Sequence, residues 1–92
     1  MPSRTVTVRN ALGMHARAAA RFVHAACAFR CRVIVTREDR GDRLVDGKSI
    51  LGLLLLAAAR GVAIRITADG PDEADALDAL CRLVESGFGE EA

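Results

Sequence analysis

The sequence has few aromatic residues and almost no excess charge of either sign. It contains no tryptophan or tyrosine and only three phenylalanines, and its formal net charge is +1 over 92 residues. Nucleic-acid binding normally needs a dominant basic surface or aromatic rings on which bases stack. We therefore expect no nucleic-acid partner.

Long hydrophobic segments are also missing. The longest apolar run, Ile50–Ala59, is too short to span a membrane and is interrupted by Gly52. The N-terminal segment MPSRTVTVRN has no hydrophobic signal core. We therefore expect no membrane insertion and a cytoplasmic location.

Cysteine is scarce, and its spacing does not suit a disulfide framework or a zinc site. The three cysteines, Cys27, Cys31 and Cys81, form an odd number without a CxxC pair. Free cysteine commonly packs as a small apolar residue. We therefore predict a packing role for these side chains, no metal site and no organic cofactor.

What is present favours one small folded domain covering residues 1–92. Hydrophobic residues make up 51% and charged residues 27% of the chain, without low-complexity tracts. A chain of this length can bury one modest core but has no room for a second cleft-forming domain. A composite enzyme is therefore not expected.

Hydrophobic periodicity alternates between strand and helix patterns along the chain. Strands are predicted at 5–8, 31–36, 43–45 and 62–66. Helices are predicted from Ala16 to about Phe29, over Ile50–Ala58 with a glycine cap at Gly61, and after Pro71 with an apolar stripe of Ala74, Leu77, Leu80, Cys81 and Val84. The order βαββαβα predicts an α+β open-faced sandwich, with a four-stranded antiparallel sheet covered on one face by three helices.

The stretch NALGMHARAAARF places a histidine beside the predicted start of the first helix. His15 would lie at or next to the N-cap, where free backbone amides and the helix dipole form an anion site. Arg17 adds a planar guanidinium suited to phosphate oxygens. An imidazole in this setting can accept a phosphoryl group, whereas the simpler alternative is a helix cap beside a solvated arginine.

Four segments together resemble the histidine-containing phosphocarrier proteins (HPr) of the bacterial phosphotransferase system. They are LGMHAR, GKSILGLLLLAAARG, ADGPDEADAL and the ending SGF, and they extend over essentially the whole chain. The resemblance is greatest to the nitrogen-related branch. One position departs from the family pattern, because Ala18 stands where HPr proteins usually have proline.

The resemblance implies a relay substrate rather than an enzyme. His15 would be phosphorylated at Nδ1 with help from Arg17, by a phosphoenolpyruvate-dependent donor protein of the Enzyme I type. The phosphoryl group would pass to an Enzyme IIA-type component of sugar transport or of a nitrogen-related pathway. The carrier is expected to act as a monomer.

Ser49 marks a second candidate site. Gly47-Lys48-Ser49 matches the end of a phosphate-binding loop, but the required first glycine falls at Asp42, so a nucleotide site is rejected. Ser49 can cap the second helix. The HPr resemblance adds regulatory phosphorylation by a serine kinase, with a phosphorylase to reverse it, which leaves a regulatory binding module with little phosphotransfer as the alternative function.

A docking surface is predicted from the basic face of the first helix and the apolar second helix. Arg21 and His24 share a face with Arg17, and Ile50, Leu51 and Leu54 lie in a run that is apolar almost all round. Only one side of such a helix can pack on a sheet, and we expect Leu53 and Leu56 to do so. The remaining apolar patch would suit a protein partner with an acidic face.

Overall fold

The computed structural model describes residues 1–90, without the side chain of residue 42. Its elements are β1 (Ser3–Thr7), α1 (Ala16–Cys27), β2 (Arg32–Arg37), β3 (Arg40–Asp46), α2 (Ile50–Leu56), β4 (Ala63–Asp69) and α3 (Glu73–Glu85). The predicted α+β open-faced sandwich is confirmed, with one antiparallel sheet and three helices.

The sheet has the strand order β1-β4-β2-β3, so the first strand pairs with the last. Val6 faces Ile64 across the β1–β4 pair, and Val35 faces Ile66 across the β2–β4 pair. These four side chains are buried, whereas Thr5, Arg65 and Arg32 on alternate positions are exposed. The alternation with period two therefore turns one apolar face toward the helices.

A single cluster of buried apolar side chains joins the sheet to the helices. Phe22 of α1, Leu53 of α2 and Leu80 of α3 are all fully buried in it. Leu56 is buried as well, so the prediction that Leu53 and Leu56 form core is confirmed. Burial of side chains of this size stabilises the fold by about 1.5–3 kcal/mol each.

The hairpin between β2 and β3 is tighter than predicted. The third strand was predicted only at 43–45, but β3 begins at Arg40, so the turn is reduced to Glu38 and Asp39. The Arg37 guanidinium binds both Asp39 carboxylate oxygens, at 2.9 and 2.8 Å, and lowers the pKa of that carboxyl through these hydrogen bonds. This pair of hydrogen bonds across the turn cannot be predicted from strand propensity.

The predicted end of α2 is wrong. The helix stops at Leu56, and Ala57 adopts the left-handed conformation with φ 55° that was expected of Gly61. Arg37 explains the early stop, because its Nη1 donates to the carbonyl oxygens of Leu56, at 3.4 Å, and Ala57, at 3.0 Å. A side chain from β2 thus satisfies carbonyl groups that the helix leaves unpaired.

Pro71 was expected to open the third helix, but α3 begins at Glu73. Asp72 is the N-cap, but its carboxylate accepts the amides of Arg30, at 2.8 Å, and Cys31, at 2.9 Å, instead of capping its own helix. These hydrogen bonds lower the pKa of Asp72 despite the opposing effect of burial. The apolar stripe includes buried Ala76 rather than Ala74, which is exposed.

The cysteines do not all behave as predicted. Cys31 and Cys81 are buried in the core, but Cys27 is exposed at the end of α1. Desolvation raises the pKa of the Cys31 and Cys81 thiols. The packing role therefore holds for two of the three side chains. The position of Cys27 also shows that α1 ends two residues earlier than the predicted end at about Phe29.

Candidate functional site

His15 is the N-cap residue of α1. Its backbone is extended, with φ −81° and ψ −179°, and its Nδ1 accepts a hydrogen bond from the Arg17 amide at 3.3 Å. The side chain is 25% exposed. Nδ1 therefore faces the free amides at the positive end of the helix, where an incoming phosphate would be stabilised.

The turn before His15 is held against the end of α2. Gly13 has φ 64°, and a Cβ placed on it would lie 2.6 Å from the Ala58 carbonyl oxygen. The next amide, Met14 N, donates to that same oxygen at 2.8 Å. Only glycine permits so close an approach of the two backbones in this conformation.

The other nitrogen of the His15 ring contacts a carboxylate from the far end of the chain. His15 Nε2 lies 2.7 Å from Glu90 Oε2, and Glu90 Oε1 accepts a hydrogen bond of 2.7 Å from Asn10 Nδ2. The Glu90 side chain is 15% exposed. Neither Asn10 nor Glu90 was identified from the sequence, because the carboxylate belongs to no local motif and is 75 positions from His15.

Glu90 is held as a carboxylate in this environment. Burial raises its pKa, but hydrogen bonds from Asn10 and His15 and the charges of His15 and Arg21 outweigh burial and lower the pKa below its usual range. A negative charge therefore lies against the histidine ring at neutral pH.

Two arginines border the site in different ways. Arg17 is exposed, and its side chain lines a hollow beside Glu90 together with Ala11 and Leu12. Arg21 lines the same hollow, but its Nη1 also donates to the Phe88 carbonyl oxygen. The Arg17 side chain thus lies in the hollow beside Glu90, whereas Arg21, predicted as a docking residue, also holds the segment that carries Glu90.

The predicted docking residues are exposed. Arg17, Arg21 and His24 line an open groove between α1 and Leu83 of α3. On α2, which packs against α1, the exposed fractions are 42% for Ile50, 66% for Leu51 and 37% for Leu54. Leu55, at 58%, is an exposed member of this patch that the prediction did not include.

Ser49 is the N-cap of α2, and its Oγ accepts the Gly52 amide at 3.1 Å. The residues before it have structural contacts: the Asp46 carboxylate accepts the Lys48 amide at 2.9 Å, and Lys48 Nζ donates to the Phe29 carbonyl oxygen at 2.8 Å. A Cβ on Gly47 would lie 2.4 Å from Val33 Cγ1. The DGKS segment therefore builds a tight turn between β3 and α2.

Residues 1–90 contain no group of three or more His, Cys, Asp or Glu side chains that could hold a metal ion. Over the same range, no helix combines the length and the apolarity needed to cross a membrane.

The site can be compared with proteins of known function. The family model described as the PTS HPr component phosphorylation site matches residues 2–86. The chain belongs to the HPr family. The phosphocarrier protein HPr of Pseudomonas putida is 47% identical over 90 residues, which cover 98% of each chain, and that of Neisseria meningitidis is 44% identical over the same length.

Solved HPr structures agree with this assignment. The crystal structure of HPr from Thermoanaerobacter tengcongensis superposes with a TM-score of 0.92 at 38% identity and covers 100% of both chains. HPr from Bacillus anthracis gives a TM-score of 0.83 at 36% identity, covering 90% of this chain and 95% of the other.

Membership of the HPr family fixes the general activity. The chain is a phosphocarrier of the phosphotransferase system, and it works as a relay substrate of partner proteins rather than as an enzyme. Its partners are components of that system. The sequence-based prediction of family and function is confirmed.

Proposed function

We propose that His15 is the residue that carries the phosphoryl group, and that Nδ1 is the reacting atom. The observation that supports this most directly is the position of Nδ1 at the N-cap of α1, within reach of the Arg17 amide. The nitrogen lone pair attacks phosphorus, and the bond from phosphorus to the donor nitrogen breaks with its electron pair leaving on the donor. The first amides of α1 and the Arg17 guanidinium stabilise the phosphoryl oxygens during this transfer.

The donor is proposed to be a phosphoenolpyruvate-dependent protein of the Enzyme I type, and the acceptor a histidine or cysteine on an Enzyme IIA-type component. Exposed Arg17, Arg21 and His24 give α1 a basic face for an acidic partner, and Ile50, Leu51 and Leu54 supply apolar contact. We propose that the carrier acts as a cytoplasmic monomer. Its place in the nitrogen-related branch stays a prediction.

Phosphorylation in vitro tests this function. The purified chain is incubated with phosphoenolpyruvate, magnesium and an Enzyme I-type donor, and its intact mass is measured before and after mild acid. We expect a single phosphate that acid removes, as a phosphoramidate requires. A chain that binds the donor but stays unmodified would contradict the proposal.

Arg17→Lys is expected to slow transfer about tenfold, which corresponds to about 1.4 kcal/mol of lost transition-state stabilisation. Lysine keeps the charge but cannot match two phosphoryl oxygens with a planar fork. Single-turnover phosphorylation measures the rate. Arg43→Lys, an exposed position on the edge strand β3, is the matched control, and equal rates for Arg17→Lys and the parent would contradict this role.

The alternative function, a binding module controlled through Ser49, is favoured by one observation. Ser49 directly precedes the exposed Ile50 and Leu51, so a phosphate on its hydroxyl would add negative charge at the edge of the proposed docking surface. A serine kinase and a phosphorylase would then be further partners. Capping of α2 accounts for the hydroxyl without any regulation.

Ser49→Asp is expected to raise the Michaelis constant for this carrier as a substrate of its donor about tenfold, or about 1.4 kcal/mol of docking free energy, by repelling an acidic partner. The maximal rate should stay unchanged, because His15 lies on another element. The control is Ser49→Ala, which removes the cap but adds no charge. If Ser49→Asp has the Michaelis constant of Ser49→Ala, capping alone explains the serine.

A further inference from the structure

A turn at residues 87–89 directs the chain back toward His15 and places Glu90 beside it. Gly87, Phe88 and Gly89 follow one another with φ values of 71°, 60° and 73°, so three consecutive residues are left-handed. Phe88 is a non-glycine residue in this region, and its ring is 1% exposed in the core. Burial of the ring offsets the cost of this left-handed backbone conformation.

Hydrogen bonds fix the same segment on both sides. The Phe88 amide donates to the Leu83 carbonyl oxygen at 2.8 Å, and its own carbonyl oxygen accepts from Arg21. The Glu90 amide then donates to the Gly87 carbonyl oxygen at 3.0 Å. Glu90 is therefore held by a turn that is anchored to α3 and α1.

Asn10 determines which oxygen of the Glu90 carboxylate contacts the histidine ring. Its Nδ2 donates to the Gly13 carbonyl oxygen at 2.8 Å and to Glu90 Oε1 at 2.7 Å, so both amide hydrogens are engaged. Its Oδ1 is buried without a partner among the described residues. Rotating the amide would turn that oxygen toward two acceptors, so Asn10 remains a donor and leaves Glu90 Oε2 for the histidine ring.

The neighbours of the His15 ring select one tautomer. At 2.7 Å from a carboxylate, Nε2 must carry the hydrogen, and Nδ1, which faces the Arg17 amide, must accept. The neutral ring therefore keeps its lone pair on Nδ1. This is the atom that must attack phosphorus in the proposed function.

We propose that Glu90, held by Asn10, is a positioning residue for phosphoryl transfer. The inference rests on the proposed role of His15. When Nδ1 bonds to phosphorus and the donor nitrogen takes the electron pair of the broken bond, the hydrogen stays on Nε2 and positive charge develops on the ring. The Glu90 carboxylate holds that hydrogen and balances that charge.

Glu90→Gln tests the inference with little change of shape. The glutamine side chain has only one oxygen, whereas the Asn10 amide group and the His15 Nε2–H each require a hydrogen-bond acceptor. If its oxygen faces Asn10, its nitrogen donates to His15 Nε2 and moves the ring hydrogen to Nδ1. Glu85→Gln, at an exposed position at the end of α3, removes the same charge away from the ring and is the matched control.

Two measurements are made on the parent, Glu90→Gln and Glu85→Gln. Nitrogen-15 NMR of the imidazole at alkaline pH reports the tautomer without any donor protein. Single-turnover phosphorylation at varied donor concentration separates the maximal rate from donor binding. Loss of the hydrogen-bond partner of a metal-binding histidine commonly costs about 10- to 100-fold, and we expect about tenfold here, on the maximal rate alone.

The outcomes separate the two proposals. A larger Nδ1–H fraction and a slower maximal rate in Glu90→Gln, with Glu85→Gln like the parent, support the positioning role. Parent-like tautomer and rate in Glu90→Gln overturn it while leaving His15 as the acceptor. A change confined to donor binding also overturns it, and a parent that takes up no phosphate refutes both proposals together.

Discussion

Replacing His15 with alanine is expected to abolish phosphorylation completely while leaving the fold intact. The variant loses the imidazole Nδ1 at the N-cap of α1, and water or neighbouring oxygens cannot form the same phosphoramidate. The ring is partly exposed and lies outside the buried cluster, so we expect a loss of stability of about 1 kcal/mol, the size of an N-cap effect.

The chain provides a matched control for this substitution. Its other histidine, His24, is exposed on the basic face of α1, and His24→Ala, which keeps His15, should still carry one acid-labile phosphate at the end of the incubation. Intact mass after incubation with donor and phosphoenolpyruvate compares the two variants directly. Acid-labile phosphate on His15→Ala would show that another residue is the acceptor.

Gly13→Ala is expected to lose both stability and transfer. The left-handed φ costs a β-carbon about 1–2 kcal/mol. The added atom would also lie 2.6 Å from the Ala58 carbonyl oxygen and 2.8 Å from Ala59 Cα, both in backbone that moves only with the loop. A further 1–3 kcal/mol is the usual cost of such overpacking, and the total gives a fall in Tm of roughly 10–25 °C for a domain of this size.

The same displacement should slow phosphorylation of Gly13→Ala. It pushes the turn away from the end of α2 and breaks the hydrogen bond from Met14 N to Ala58 O that places the start of α1. Gly61→Ala is the control, because Gly61 also has a positive φ, of 89°, but an added Cβ would have no atom of the described residues within 4 Å apart from its chain neighbours. Thermal unfolding and transfer rates that match between the two alanine variants would contradict this role of the contact.

The order of elements could be predicted from the sequence because it depends on local periodicity. Alternation around Ile64 and Ile66 and the three- and four-residue steps around Phe22 each report which face is buried. The element ends were predicted less well. β3 is longer and α2 shorter than expected. In both cases the reason is Arg37 of β2, which donates hydrogen bonds to Asp39 in the hairpin turn and to the carbonyl groups at the end of α2.

The candidate site also contains residues that local sequence predicts and residues that it does not. His15, Arg17 and Ser49 lie in short motifs beside helix starts, so residue type and spacing were enough to nominate them. The pairing of Glu90 with His15 depends on the left-handed turn at Phe88 and on the orientation of Asn10, and neither leaves a periodic signal. The SGF segment contributed only to the family resemblance, although in the structure it forms part of the turn that places the Glu90 carboxylate beside His15.

The antiparallel pairing of β1 with β4 has a consequence for protein synthesis. The strand that leads to His15 finds its partner only when residues 63–69 have been made, and Glu90 follows His15 by 75 positions. At about 5–20 residues per second, the ribosome delivers that carboxylate roughly 4–15 s after the histidine. Unfinished chains therefore have the histidine without the complete sheet or the Glu90 carboxylate, and we expect them to take up less phosphate from the donor than the complete chain does.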